Sequence, residues 1–262
     1  MQFRVLGSLE VRVGGRLVHF GVPKRRLLLL ALLSQANAVV SVDRLTDWLW
    51  PEDPPRSAVS VVQAHISHLR RAIEPDRERR GPSRLLLTQA SGYLVKVTSE
   101  QLDALHFEQL VEQGRNHLAR GEFGPAATVL TEALALWRGS ALADADGVAA
   151  ARAFAVRWEE LRQFASVMRV EAELELGRHL GVVSELEYLV AAHPFDERLH
   201  GLLMIALYRS RRRADALITY RKLRHNLYHE LGANPAPALR RLEHAIRSQA
   251  PELDTSSPRI LV

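Results

Sequence analysis

The chain of 262 residues has no cysteine, which removes disulfides, thiolate metal sites, iron–sulfur clusters and thiol nucleophiles together. Lysine is scarce: 32 of the 35 basic residues are arginine, so nearly all the cations are planar forks rather than point charges. Long apolar runs are missing too. The longest near the start, Leu27–Leu33, is far short of the roughly 20 residues that a bilayer span needs. Met1–Gly7 shows no charged leader followed by an apolar stretch, so a soluble, cytoplasmic chain with no membrane partner is expected. Glycine nowhere precedes lysine, which excludes a phosphate-binding loop of the G-x-x-x-x-G-K-[ST] type. G-x-S-x-G, H-E-x-x-H and G-x-G-x-x-G are also absent, and the expectation is a protein without cofactor that is not an enzyme.

What is present is the material of a globular fold, 47% apolar and 25% charged. The charge is uneven. Residues 1–97 hold 15 Lys/Arg against 8 Asp/Glu, and residues 98–262 hold 20 against 22, so the net +5 divides into +7 and −2. The texture changes at the same place, from short β-type runs and a few helices to almost unbroken helical periodicity. Three segments are therefore expected: residues 1–97, residues 98–248, and a flexible tail over 249–262.

In the basic segment Phe3–Gly7, Leu9–Val13 and Arg16–Phe20 read as strands, the last two joined by a Gly14-Gly15 turn. Pro23 suits a helix start, Arg26–Gln35 reads as helix, and Ser41 is placed to cap a second helix over Val42–Trp50. Pro51-Glu52-Asp53-Pro54-Pro55 cannot be helical and makes a stiff acidic loop. A third helix, Ser57–Ile73, places Val59, Val62, Ile66, Leu69 and Ile73 on one stripe toward a core. Its other side carries Ser60, Gln63, Ala64, Ser67, His68, Arg70 and Arg71. Leu85–Thr88 and Tyr93–Val97 then alternate across a turn as a hairpin. Helix, helix, stiff loop, polar-faced helix and hairpin is the order of a winged helix-turn-helix. Amides and guanidinium groups on such a helix suit base edges in a major groove, and small side chains let the backbone approach.

Phe3-Arg4-Val5-Leu6-Gly7, Pro23-Lys24-Arg25-Arg26-Leu27-Leu28, Val40–Leu45, Leu49-Trp50-Pro51 and Ser67–Arg71 resemble the DNA-binding domain of the Streptomyces antibiotic regulatory protein family, which is similar to the OmpR-type winged helix. The resemblance implies base-edge contacts at Gln63, Ala64 and His68, and phosphate contacts at His65, Ser67 and Arg70, with Arg71 on the same face. Such wings often carry arginine at the tip. Here the tip is Gln89, Ala90 and Ser91, and Arg84 at the hairpin base is the nearest substitute.

The second segment reads as helix pairs: Asp103–Ala119 with Pro125–Trp137, Ala149–Leu176 with Arg178–Ala192, Glu197–Ser210 with Arg213–Glu230, and a final helix over Ala236–Ser248. Pairs of about 34 residues suggest a tetratricopeptide-like stack, with Ala216, Tyr220, Leu223, Leu227 and Leu231 on one side of their helix. Phe107–Leu110, Ala135–Gly139, Leu203–Arg209 and Tyr228–Gly232 resemble the bacterial transcriptional activator domain of the same family, whose members usually have glycine where Arg211 stands. The expected fold is mainly α, an α+β winged helix-turn-helix (OmpR-like) followed by an all-α tetratricopeptide-like domain.

The function that the resemblance implies is a transcriptional activator of antibiotic or other secondary-metabolite genes. It binds direct repeats near a −35 region as a head-to-tail dimer on double-stranded DNA. It recruits RNA polymerase, with the loop Pro51, Glu52, Asp53, Pro54, Pro55 placed to touch the σ or α subunit. On residue pattern alone an adaptor whose first segment binds protein stays open. His225 and His229, spaced i, i+4, lack a nearby third ligand and read as a surface pair, and Asp144–Gly147 reads as a turn. Arg209 and Arg211–Arg213 read as a solvated face between two helices, with contact to DNA or polymerase as the alternative.

Overall fold

The computed structural model describes residues 1–76, 78 and 81–255. By packing, the chain divides into two compact units: residues 1–112 with 132–165, and residues 113–131 with the chain from Ser166 onward.

The first unit opens on three short antiparallel strands, β1 (Gln2–Arg4), β2 (Glu10–Val13) and β3 (Arg16–Leu17), paired in that order. Pro23 is the first residue of α1 (Pro23–Leu33), where a missing N–H costs nothing, and Leu28–Leu33 are all buried. β4 (Val40–Ser41) runs into α2 (Val42–Leu49), whose cap Ser41 accepts from the Arg44 amide at 3.2 Å. After the proline loop comes α3 (Ala58–Ile73), then β5 (Leu86–Gln89) and β6 (Gly92–Val95), hinged on Ala90-Ser91. β4 pairs with β6, giving the order β4-β6-β5. A Cβ on Gly92 would sit 2.0 Å from the Val40 carbonyl oxygen, so only glycine allows this pairing.

The core stripe of α3 differs from expectation at one end. Val62, Ile66, Leu69 and Ile73 are buried, but Val59 is 52% exposed and Ala58 is buried in its place. At 3.6 residues per turn both positions lie about 50° from the axis set by the other four, so spacing alone does not choose between them.

The start of the chain is tied to residues far along it. Asp103, the first residue of α4 (Asp103–Ala119), accepts from the amides of Val5 at 2.8 Å and Leu6 at 3.2 Å. Burial raises the pKa of this carboxyl, while the Val5 and Leu6 amides and Arg138 pull it down. Arg138 donates to the Ser8 carbonyl at 3.1 Å and to Glu10 at 2.8 Å. Asp144, in the turn Ala143–Ala145, accepts from the Leu9 amide and from Arg26. The change of composition at Val97 and the division by packing are therefore different boundaries.

Helices α5 (Phe123–Ala135), α6 (Ala149–Glu175), α7 (His179–Ala192), α8 (Glu197–Arg209), α9 (Arg213–Leu231) and α10 (Pro237–Ser248) complete the helical part within a residue or two of the expected spans. The core of the second unit is built from Val182, Val183 and Leu186 of α7, Leu199–Leu207 of α8, Ala216, Tyr220, Leu223 and Leu227 of α9, and Leu239, Leu242 and Ile246 of α10. Each buried leucine contributes about 1.5–3 kcal/mol. Asp196 caps α8 by accepting from the amides of Arg198 and Leu199. One expectation is corrected here. Leu231 is 59% exposed, so the buried side of α9 ends at Leu227. Within the stretch from Gln249, Glu252–Thr255 form a short helix, α11, with Leu253 buried and its carbonyl accepting from Arg209 Nε at 2.8 Å. The rest of the expected tail, residues 256–262, lies outside the described residues. No helix among the described residues is long and apolar enough to cross a membrane.

Candidate nucleic-acid interface

The outward face of α3 has two flanks. On one lie Gln63, Ser67 and Arg70; on the other lie His65 and His68; Ser60, Ala64 and Arg71 run between them. Gln63, Ala64, Ser67, His68 and Arg71 are exposed, His65 and Arg70 half-buried. No acidic side chain occurs between Ala58 and Ile73, so nothing on the helix itself neutralises its cations.

The hairpin flank is fixed by Arg70. Its Nε donates to the Leu86 carbonyl at 2.8 Å, and its Nη2 to Thr88 Oγ1 at 2.7 Å. Leu85 bonds across to Lys96 within the hairpin, so by alternation the Leu86 and Thr88 backbones face the open edge of the sheet. Arg70 therefore takes the place of a missing strand and clamps the wing to the helix, a different use from the phosphate contact expected of it. Glu74, which follows α3, holds the hairpin base by accepting from Ser83 Oγ and from the Arg84 amide at 2.7 Å. Arg84 is exposed there, and Gln89, Ala90 and Ser91 are exposed at a tip without a cation.

The other flank was not anticipated. Desolvation, then the charges of Arg25, His68 and Lys24, lower the pKa of His65. Desolvation, then Arg25 and Arg71, lower that of His68. The first turn of α1 thus brings Lys24 and Arg25 alongside the imidazoles of α3. Lys24 also lies 4.0 Å over the Trp50 ring, and Arg25 donates to the Phe20 carbonyl at 3.2 Å. The signal for them was available: Lys24-Arg25-Arg26 in a first helical turn opposes the helix dipole, which favours acids there. Arg26 is used differently, on Asp144 and the Leu9 carbonyl.

Pro51, Glu52, Asp53, Pro54 and Pro55 are all exposed. Of the other candidates, the His225 and His229 rings lie tilted against each other with centroids 4.1 Å apart, and among the described residues no three His, Asp or Glu side chains gather to hold a metal. Arg209 and Arg213 are not a solvated pair, because their Nε atoms donate to the carbonyls of Leu253 and Ile246.

Residues 20–95 match the family profile described as transcriptional regulatory protein, C terminal, and residues 102–247 match the bacterial transcriptional activator domain. The chain is 38% identical to the regulatory protein DnrI of Streptomyces peucetius, over 99% of this chain and 97% of that one. It is 36% identical to the regulatory protein AfsR of Streptomyces griseus over 97% of this chain, which spans only 25% of AfsR. The structure of Mycobacterium tuberculosis EmbR in complex with a low affinity phosphopeptide matches with a TM-score of 0.90 at 32% identity, covering 99% of this chain and 68% of that one. These relatives carry the names of regulators, not of enzymes. With both profiles in order along the sequence and one relative matched nearly end to end, the chain belongs to the Streptomyces antibiotic regulatory protein family of DNA-binding transcriptional regulators.

Proposed function

We propose that this regulator activates transcription of secondary-metabolite genes in the cytoplasm by laying α3 in the major groove of a promoter, with hairpin β5–β6 over the adjoining minor groove. The outward face of α3 carries this reading: amide, small side chains, imidazoles and the exposed Arg71, without an acid, flanked by the cations of α1. Gln63, Ala64 and His68 approach base edges. His65, Ser67, Arg71 and Arg84 meet phosphates, joined by Lys24 and Arg25, and Arg70 acts through the wing. Residues 1–97 supply the DNA-reading part and residues 98–248 the contacts to protein. Two copies sit head-to-tail on direct repeats near the −35 region, as closed two-fold pairing does not suit repeats that point the same way. The exposed loop Pro51–Pro55, with the carboxylates of Glu52 and Asp53, is the surface offered to the σ or α subunit of RNA polymerase.

Selection of duplexes from a randomised pool by the full chain, followed by footprinting, tests the reading. Gln63→Ala and His68→Ala should relax preference at single base positions, by about 1–3 kcal/mol of discrimination. Arg71→Ala should weaken every duplex alike. Equal loss on all sequences for all three variants, or no binding at low salt, sinks it.

A further inference from the structure

The net −2 of the second half conceals a second asymmetry. Residues 98–208 carry 9 Lys/Arg against 17 Asp/Glu, whereas residues 209–248 carry 10 against 3. In the first stretch Arg157, Arg162, Arg169, Arg178 and Arg198 each pair with a glutamate. From α9 onward there are too few carboxylates for that. Arg212 takes Asp215 and Arg247 takes Glu243, while Arg224, Arg240 and Arg241 are exposed with no hydrogen-bond or ion-pair partner among the described residues.

These cations are gathered, not scattered. Tyr220 is buried, and its pKa is raised by desolvation and by Glu243 and lowered by Arg224, Arg240 and Arg247, so guanidinium groups from both helices act on one phenol. Arg240, Arg241, His244 and Ser248 line an open groove of about 440 Å³, with Glu252 at its margin. α10 exposes no large apolar side chain. A protein–protein interface has an apolar or aromatic centre with charge at its rim; α10 supplies none, and the exposed apolar side chains of α9 are Ile218, Tyr228 and Leu231. Surfaces that meet DNA are polar and strongly cationic, and arginine is the fork that matches a phosphate.

We infer that the α9–α10 face binds the phosphate backbone of duplex DNA without regard to sequence, as a contact additional to that of α3. Arg224, Arg240 and Arg241 are its free cations.

The test is the triple variant Arg224→Ala, Arg240→Ala, Arg241→Ala in the full chain, with fluorescence anisotropy followed across salt. Two probes are used: a duplex selected by the unaltered chain and an unrelated duplex of equal length. Every phosphate that the variant no longer neutralises lowers the slope of log affinity against log salt by about 0.9, so a fall of up to about 2.7 is expected on both duplexes. The affinity ratio between the duplexes should stay the same, and the triple lysine variant should keep the slope, which separates a missing charge from a damaged fold. An unchanged slope overturns the proposal, and is the result if this face meets an acidic protein instead. Loss of the preference with the slope intact overturns it as well. Preference reports α3, and the slope lost in the triple variant reports α9–α10, so the two readings fail separately.

Discussion

Arg70→Ala separates two uses of one arginine. The bond from Nε to Leu86 is half-buried with a charged donor, contributing about 1.5 kcal/mol, and the exposed bond to Thr88 contributes about 0.5. Removing both should ease opening of the β5–β6 hairpin by about 2 kcal/mol, or roughly thirtyfold. Hydrogen exchange at the Lys96 amide, which donates to the Leu85 carbonyl at 2.8 Å, reads that opening directly. Arg71, one residue on and exposed, is the control: Arg71→Ala should leave exchange at Lys96 unchanged and lower the salt slope of DNA binding by about 0.9. Should Arg70→Ala leave exchange unaltered and lower the salt slope in the manner of Arg71→Ala, the clamp is wrong and Arg70 is a phosphate contact.

Two further expectations follow from backbone and charge. Arg211 holds φ +63° between α8 and α9, so Arg211→Gly should stabilise the second unit by up to about 1 kcal/mol in urea unfolding, and Arg211→Ala, which keeps its Cβ, should not. His65 and His68 have lowered pKa values, so both are neutral at pH 7 in the free chain. A phosphate raises the pKa of an adjacent imidazole, so the complex takes up protons and DNA binding should tighten as pH falls from 8 to 5.5. The gain is up to about tenfold per pH unit for each imidazole that titrates. Binding that is flat over this range, or equally steep in the double alanine variant, removes these histidines from the interface.

The helices were legible because their limits are written in side chains. Asp103 opens α4 and Ser41 caps α2, while Gly232 closes α9 in the left-handed conformation. What escaped the sequence depends on backbone groups brought close by folding. Asp103 and Asp144 accept from amides 98 and 135 residues away, and Arg70 donates to a carbonyl on a sheet edge, none of which leaves a pattern in spacing. The polar face of α3 was visible as a helical period, but its division into a wing flank and an α1 flank was not. Lys24 and Arg25 stood in plain view as cations at the wrong end of a helix.

The ties from Val5, Leu6 and Leu9 to Asp103 and Asp144 set an order of events during synthesis. The segment joining β1 to β2 leaves the ribosome well before the carboxylates that satisfy its amides, which follow about 100 and 135 residues later. At about 5–20 residues per second the wait is on the order of ten seconds. Through that interval the β1–β2 segment has unpaired backbone groups, and a nascent chain stalled before Asp144 presents them to whatever lies nearby.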